Sequence, residues 1–309
     1  MKIKMESQQT IFLSDAFELF LKHCKVKNLS PQTIKSYQSL CKPFLSWYTG
    51  SMKDINANTI DDFELYLREN TNANDVSINS YVRNTKAFLY WCMECDYLNP
   101  FHITIHKAEK KIKETYTEEE LKRLLAKPDK KKCQFTEFKV WALENYLLGT
   151  GNRISTALNV KIGDIDFQNG YITLRHCKNR KQQIIPLSKT LSNVLTEYLN
   201  VRGGEPEDYL FCSNEGTKEE RSGFISLVKR YNAKRNVQKN SCHLFRATYA
   251  KMAVMNGVDA FSLQKLMGHA DISTTQLYVE MFSIDLKKDY DRFNPLDSLQ
   301  EKKTSIKMR

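Results

Sequence analysis

Six side chains between residues 153 and 278 are of types that could together displace an oxygen from a phosphodiester. They lie in four segments: Thr150-Gly151-Asn152-Arg153-Ile154-Ser155, the basic turn Cys177-Lys178-Asn179-Arg180-Lys181-Gln182, His243-Leu244-Phe245-Arg246, and Leu266-Met267-Gly268-His269 with Tyr278 nine residues on. Such a displacement needs a nucleophile, relief of charge on two non-bridging oxygens, and a proton for the leaving oxygen. Guanidinium groups hold phosphate oxygens bidentately, which a flexible lysine does poorly. A phenol, with a pKa of about 10, becomes a useful nucleophile only when cations and a base surround it. Taken singly, each segment has an ordinary structural explanation. An arginine at a helix start is usually a surface or capping residue, a His-x-x-Arg pair recurs in many helices, and Gly268-His269 can simply end one helix and start another. Lys178 sits among Arg175, Arg180 and Lys181, as in a solvated basic turn, and the chain has 15 tyrosines. The order and spacing of all four segments together are far more specific than any one.

In that order, residues 150–278 resemble the tyrosine recombinases of the phage-integrase type, in the simple two-domain, Xer-like layout. The resemblance makes Arg153 the first catalytic arginine, followed by the expected Leu158, Val160 and Asp164-Ile165-Asp166. It makes Lys178 the catalytic lysine, assigns His243, Arg246 and His269 to the remaining motif positions, and makes Tyr278 the nucleophile. What it implies is a 3′-phosphotyrosyl bond with a free 5′-hydroxyl, Arg153 and Arg246 stabilising the pentavalent transition state, Lys178 protonating the 5′-oxygen, and the two histidines handling protons and phosphate hydrogen bonds. Bond energy is conserved in the phosphotyrosine, so no metal, nucleotide or other cofactor is implied. The sequence has neither a Gly-x-x-x-x-Gly-Lys-Ser/Thr loop nor a clustered Asp/Glu motif of a two-metal nuclease. Implied partners are double-stranded DNA with specific core sites, three further copies in a DNA-dependent homotetramer, and accessory DNA-bending or directionality proteins. Three positions depart from the pattern: Thr156 stands where many relatives carry a carboxylate, Asn152 replaces an apolar neighbour of Arg153, and Ala247 follows Arg246 where a second histidine is frequent. Three functions stay open at this point: a site-specific recombinase, a type IB-like topoisomerase, and a catalytically silent DNA-binding protein of the same fold.

The elements that must position these residues follow from periodicity. From Ile11 to about Tyr97 apolar residues recur at three- and four-residue intervals, as in Phe12, Ala16, Phe17, Phe20 and Leu21, which predicts a small all-helical unit. Ser14 and Ser30 are candidate N-caps, the latter followed by Pro31, and further helices fit Thr59 to Glu69 and Val76 to Cys95. Residues 98–115 break the helical period and end in a lysine run. Thr117 to Glu120 then reads as a capping box opening a new domain, with a longer helix from about Glu137 to Leu148. Asp164 to Phe167, Tyr171 to His176 and Gln182 to Leu187 alternate as strands, with Asn169-Gly170 a turn signal between the first two. From Leu191 to about Phe293 the pattern is again helical. The predicted organisation is an N-terminal tail 1–10, a helical core-site DNA-binding domain 11–108, a linker 109–115, a catalytic domain 116–295 and a C-terminal tail 296–309. The fold class is mainly α with a small antiparallel sheet. By resemblance, carried at the N-terminus by Leu29-Ser30-Pro31-Gln32-Thr33-Ile34, it is a helical SAM-like DNA-binding domain plus a mixed α/β integrase-type catalytic domain. Little chain precedes Ile11, so a separate arm-site-binding domain is not expected. An apolar pattern after Tyr278, at Phe282, Ile284, Leu286, Tyr290 and Phe293, is of a kind that packs on a neighbouring protomer in the family.

Composition agrees with this organisation. A chain of 309 residues with 41% hydrophobic and 27% charged residues has enough apolar material for two cores. Its net charge of +11 favours a polyanionic partner. Residues 1–110 carry 13 Lys+Arg against 12 Asp+Glu, whereas 111–309 carry 34 against 24, so the second part is expected to grip phosphate. No run of about 18 apolar residues and no apolar leader core is found. The 8 scattered cysteines, including the lone Cys92-x-x-Cys95 pair, fit reduced thiols better than disulfides or a zinc site. The expectation is a soluble, cytoplasmic protein.

Overall fold

Helical periodicity in the first third and a mixed pattern in the rest give two compact units, Met1–Lys111 and Ile112–Arg309. The computed structural model describes residues 11–106, 114–175, 182–213, 215–268, 271–272, 275–276 and 278.

The first unit is built from α1 (Leu13–Val26), α2 (Pro31–Trp47), α3 (Ala57–Asn70) and α4 (Asp75–Glu94). Ser30 caps α2 as its position predicts, its hydroxyl accepting the Thr33 N–H at 3.1 Å with Pro31 in the first turn. Ser14 does not cap α1. The Ala16 N–H bonds the Phe12 carbonyl at 3.0 Å, so the first turn closes around Phe12 and leaves Ser14 inside the helix. α3 and α4 start slightly earlier than Thr59 and Val76 because the Asn56 and Asn74 side chains cap them. The stripes of α1, α2, α3 and α4 meet in an aromatic core, with Phe17 edge-on to Phe88 at 5.2 Å and Phe44 edge-on to Phe63 at 5.1 Å. Burying a side chain of this size stabilises by about 1.5–3 kcal/mol. Irregular chain beyond α4 joins this core: Leu98 and Ile103 are buried, and Lys86 Nζ donates to the Ile103 carbonyl at 2.6 Å. Cys92 is fully buried in α4.

The second unit opens with α5 (Glu118–Leu125), whose Thr117–Glu120 capping box forms in both directions. α6 (Phe135–Thr150) is apolar on nearly every side, so it becomes the central helix of the unit, surrounded by α5, α8 (Lys189–Arg202), α9 (Arg221–Lys234) and α10 (Cys242–Met255). Two ionisable groups are nevertheless carried inside on α6. Lys139 is satisfied, donating to the Cys212 carbonyl at 2.7 Å beside Glu219. Glu144 has neither oxygen hydrogen-bonded, and burial holds its carboxyl well above the usual range. The sheet is antiparallel in the order β1 (Ile165–Asp166), β2 (Tyr171–Leu174), β3 (Gln183–Pro186), registered by Ile172 opposite Ile185 and Leu174 opposite Gln183. Ile172, Leu174 and Ile185 face the core, while Ile184 is 66% exposed. The strand reading of His176 and the turn at 177–181 lie outside the described residues, as does the C-terminal segment 279–309. The short α7 (Ile154–Ala157) follows α6, and α11 (Ala260–Met267) follows α10.

Candidate active site

The site begins where α6 ends. Gly151 closes that helix at φ 63°, in the left-handed region that favours glycine, its N–H bonded to the Leu147 carbonyl at 3.0 Å. A Cβ here would run into the Tyr249 ring on α10, so α6 and α10 approach closely only because this residue has no side chain. The chain then turns through Asn152 into Arg153, an extended residue that precedes α7. Asn152 is buried and donates from Nδ2 to the Tyr146 hydroxyl at 3.0 Å, which gives its departure from an apolar residue a local partner. Thr156, at the position where a carboxylate is frequent, is buried on α7. No hydrogen bond to the Arg153 guanidinium occurs among the described residues.

Arg246 is held very differently. It lies in the first half of α10, 5% exposed, with Nη1 donating to the Gly151 carbonyl and Nη2 to the Met267 carbonyl, both at 2.8 Å. Its fork therefore joins the carboxyl end of α6 to that of α11. Burial lowers its pKa to about 10; the nearby Arg153 charge acts in the same direction, and Tyr278 acts against both. Arg246 still carries its charge at neutral pH. Arg153 and Tyr278, 125 positions apart in sequence, thus each come within electrostatic reach of Arg246. Tyr278 is 5% exposed and packs with Ala247, Ala250, Leu263 and Met267, between α10 and α11. Two guanidiniums that repel one another beside a phenol form a locus where a phosphate group would relieve the repulsion and a developing phenolate would be stabilised.

His243 lies three residues before Arg246, in the first turn of α10, exposed, its N–H capped by the Ser241 hydroxyl at 3.3 Å. Lys178 and His269 lie outside the described residues. Their chain neighbours are described. Arg175, at the end of β2, pairs through Nε with the buried Asp164 at 2.5 Å, and Gln183 at the start of β3 donates to backbone carbonyls at the end of α11. Sequence reasoning passed over the Gly151 carbonyl, Tyr249 and Gln183. Only Gly151 carried a signal, a glycine closing a long apolar run. A concavity of about 820 Å³ between the start of α6 and α9 contains none of the six predicted residues. No described helix is long and apolar enough to cross a membrane.

Comparison with known proteins places these features in context. Residues 114–283 match the phage integrase family, and residues 12–112 match the phage integrase SAM-like domain. The chain is 28% identical over 294 residues to the tyrosine recombinase XerA of Thermococcus kodakarensis, covering 93% of this chain and 98% of that one. It is also 28% identical over 298 residues to the tyrosine recombinase XerD of Halalkalibacterium halodurans, covering 92% and 98%. Among solved structures, the fold resembles that of the site-specific recombinase XerH bound to palindromic difH substrate in a post-cleavage complex. That match has a TM-score of 0.70 at 20% identity over 89% of this chain and 83% of the other.

Proposed function

The chain belongs to the phage integrase family, and on that premise we propose that it is a site-specific DNA recombinase that cuts and rejoins strands through Tyr278. The observation that carries the proposal is Arg246, fixed by two backbone carbonyls within electrostatic reach of both Arg153 and Tyr278.

In the proposed reaction the Tyr278 oxygen attacks phosphorus, forming a 3′-phosphotyrosyl bond as the bond to the 5′-oxygen breaks. Arg153 and Arg246 neutralise charge that grows on the non-bridging oxygens; preorganised donors of this kind contribute about 10²–10³ in rate. The phenolic proton leaves through His243, His269 or water, and Lys178 gives a proton to the departing 5′-oxygen. Rejoining reverses these steps with another 5′-hydroxyl as nucleophile. Since one phosphoester replaces another, neither nucleotide hydrolysis nor a metal is called for. The basic excess of residues 111–309 suits a phosphate backbone, and specific double-stranded core sites are the proposed substrate. Exchange between two duplexes requires four active sites, hence a DNA-dependent homotetramer, with accessory DNA-bending or directionality proteins as further partners.

The test is a nicked core-site duplex that traps the covalent intermediate, resolved on a denaturing gel, with the modified residue located by mass spectrometry. A strand linked to Tyr278 is expected. A protein that binds the duplex without forming an adduct would be a silent binder, and one that relaxes plasmids of any sequence as a monomer would be a topoisomerase; either result overturns the proposal.

A further inference from the structure

We propose that Gln183 is a positioning residue for strand cleavage, fastening the returning strand of the basic hairpin to the same helix end that orients Arg246; this rests on the recombinase assignment above. Gln183 is the first residue of β3, opposite Leu174. Its Nε2 donates to the Lys265 carbonyl and, at 3.1 Å, to the Leu266 carbonyl. The next carbonyl along, that of Met267, accepts from Arg246 at 2.8 Å. Three consecutive carbonyls at the end of α11, where a helix runs out of N–H partners of its own, are thus shared between a guanidinium of the proposed site and the root of the hairpin. Gly268 completes the arrangement. It stands at φ 62°, and a Cβ on it would lie 2.6 Å from Gln183 Oε1, so glycine clears the space for the amide.

Which partner moves when the amide is lost follows from how each is otherwise held. α11 has Leu263 and Met267 buried, Asp259 capping its first turn through the Phe261 and Ser262 N–H groups at 2.9 Å, and Arg246 at its end. The outgoing strand is tied by Arg175 to Asp164. Beyond its backbone ladder with β2, the root of the returning strand is held among the described side chains by Gln183, because Gln182 is exposed and Ile184 is 66% exposed. Loss of the amide therefore frees the hairpin at a point five residues from Lys178 and leaves α11 in place.

Gln183→Met keeps the length and removes the donors, and Gln183→Glu keeps the shape while turning a carboxylate toward the carbonyls. Both are expected to slow single-turnover cleavage about tenfold or more, in proportion to two lost hydrogen bonds, with core-site affinity within about twofold. Amide hydrogen exchange should quicken over residues 182–184 and stay unchanged over 260–267. On a 5′-bridging phosphorothiolate, whose sulfur leaves without a proton, both variants should return to near the wild-type rate, as Lys178→Ala should. Unchanged exchange, an unchanged rate on the oxygen substrate, or no sulfur rescue where Lys178→Ala is rescued would overturn the inference. If Lys178→Ala itself is not rescued, the general-acid assignment fails, and Gln183 is judged by exchange and oxygen-substrate rate alone. A wild-type protein that forms no adduct removes the recombinase assignment, and Gln183 loses its role in cleavage with it.

Discussion

The Arg246 guanidinium donates to the Gly151 carbonyl at 2.8 Å, across 95 positions of sequence, so the helix end that delivers Arg153 also orients Arg246. The two arginines are therefore predicted to respond differently to mutation. Arg153→Ala and Arg246→Ala should each slow cleavage by at least about 10²-fold, as expected for a lost oxyanion donor. Only the second should also lose about 1–3 kcal/mol of stability per carbonyl it leaves buried and unpaired, at Gly151 and Met267. Single-turnover cleavage with denaturant melts checks both halves. Excess chelator should leave the wild-type rate unchanged, and loss of activity that added metal restores would contradict the metal-free assignment.

Tyr278→Phe keeps the ring that packs against Leu263 and Met267 and removes only the oxygen. Core-site affinity should change by less than about threefold while the covalent adduct disappears. An adduct of undiminished yield would move the nucleophile elsewhere, with Tyr290 the next candidate.

Gly151→Ala should destabilise the second unit without touching a proposed functional side chain. The left-handed conformation alone costs a residue with a Cβ about 1–2 kcal/mol, and contact with the Tyr249 ring adds to it. Gly151→Ala combined with Tyr249→Ala should relieve the contact and leave the conformational cost. Thermal unfolding of the two variants separates these contributions, and equal melting of Gly151→Ala and wild type would show that α6 closes in another way.

Glu144 supplies a pH test. Burial raises its pKa well above the ordinary 4.5, and the Arg235 charge acts in the opposite direction. The folded chain thus keeps a proton that the unfolded chain releases above pH 4.5, so stability is greatest below that value and declines as pH rises. Glu144→Gln, neutral throughout, should gain on wild type with increasing pH by up to about 1.4 kcal/mol per pH unit. Denaturant unfolding at pH 5 and pH 8 measures this, and a constant difference would mean that Glu144 is ionised in the folded protein.

Lys178 and Lys181 lie three residues apart in one basic turn. Lys178→Ala should cleave normal DNA poorly and recover on the 5′-bridging phosphorothiolate, because a thiol with a pKa of roughly 8.5 departs without a proton. Arg153→Ala should stay slow on both substrates and Lys181→Ala should resemble wild type on oxygen. Sulfur rescue of Lys181→Ala instead would transfer the acid role to that residue.

The sequence alone determined whatever depends on neighbours along the chain. Ser30 and the Thr117–Glu120 box cap helices because capping is decided within four residues, and the strand alternation of residues 171–174 and 183–186 set which side chains face inward. Spacing over residues 150–278 was enough to point to the family. Even locally the signal had limits, since Ser14 lost the cap of α1 to a turn closed around Phe12. What tertiary structure decided was every relationship between surfaces that meet far apart in sequence. Arg246 became a buried fork rather than a surface charge because the ends of α6 and α11 bring two carbonyls to it, and Gly151 was required by the Tyr249 ring rather than by its own turn alone. Gln183, an ordinary polar residue at a strand start, gained its partners from carbonyls 82 and 83 positions away. No local pattern encodes these contacts, because each depends on how close two helix ends or a strand and a helix come when the core around α6 is packed.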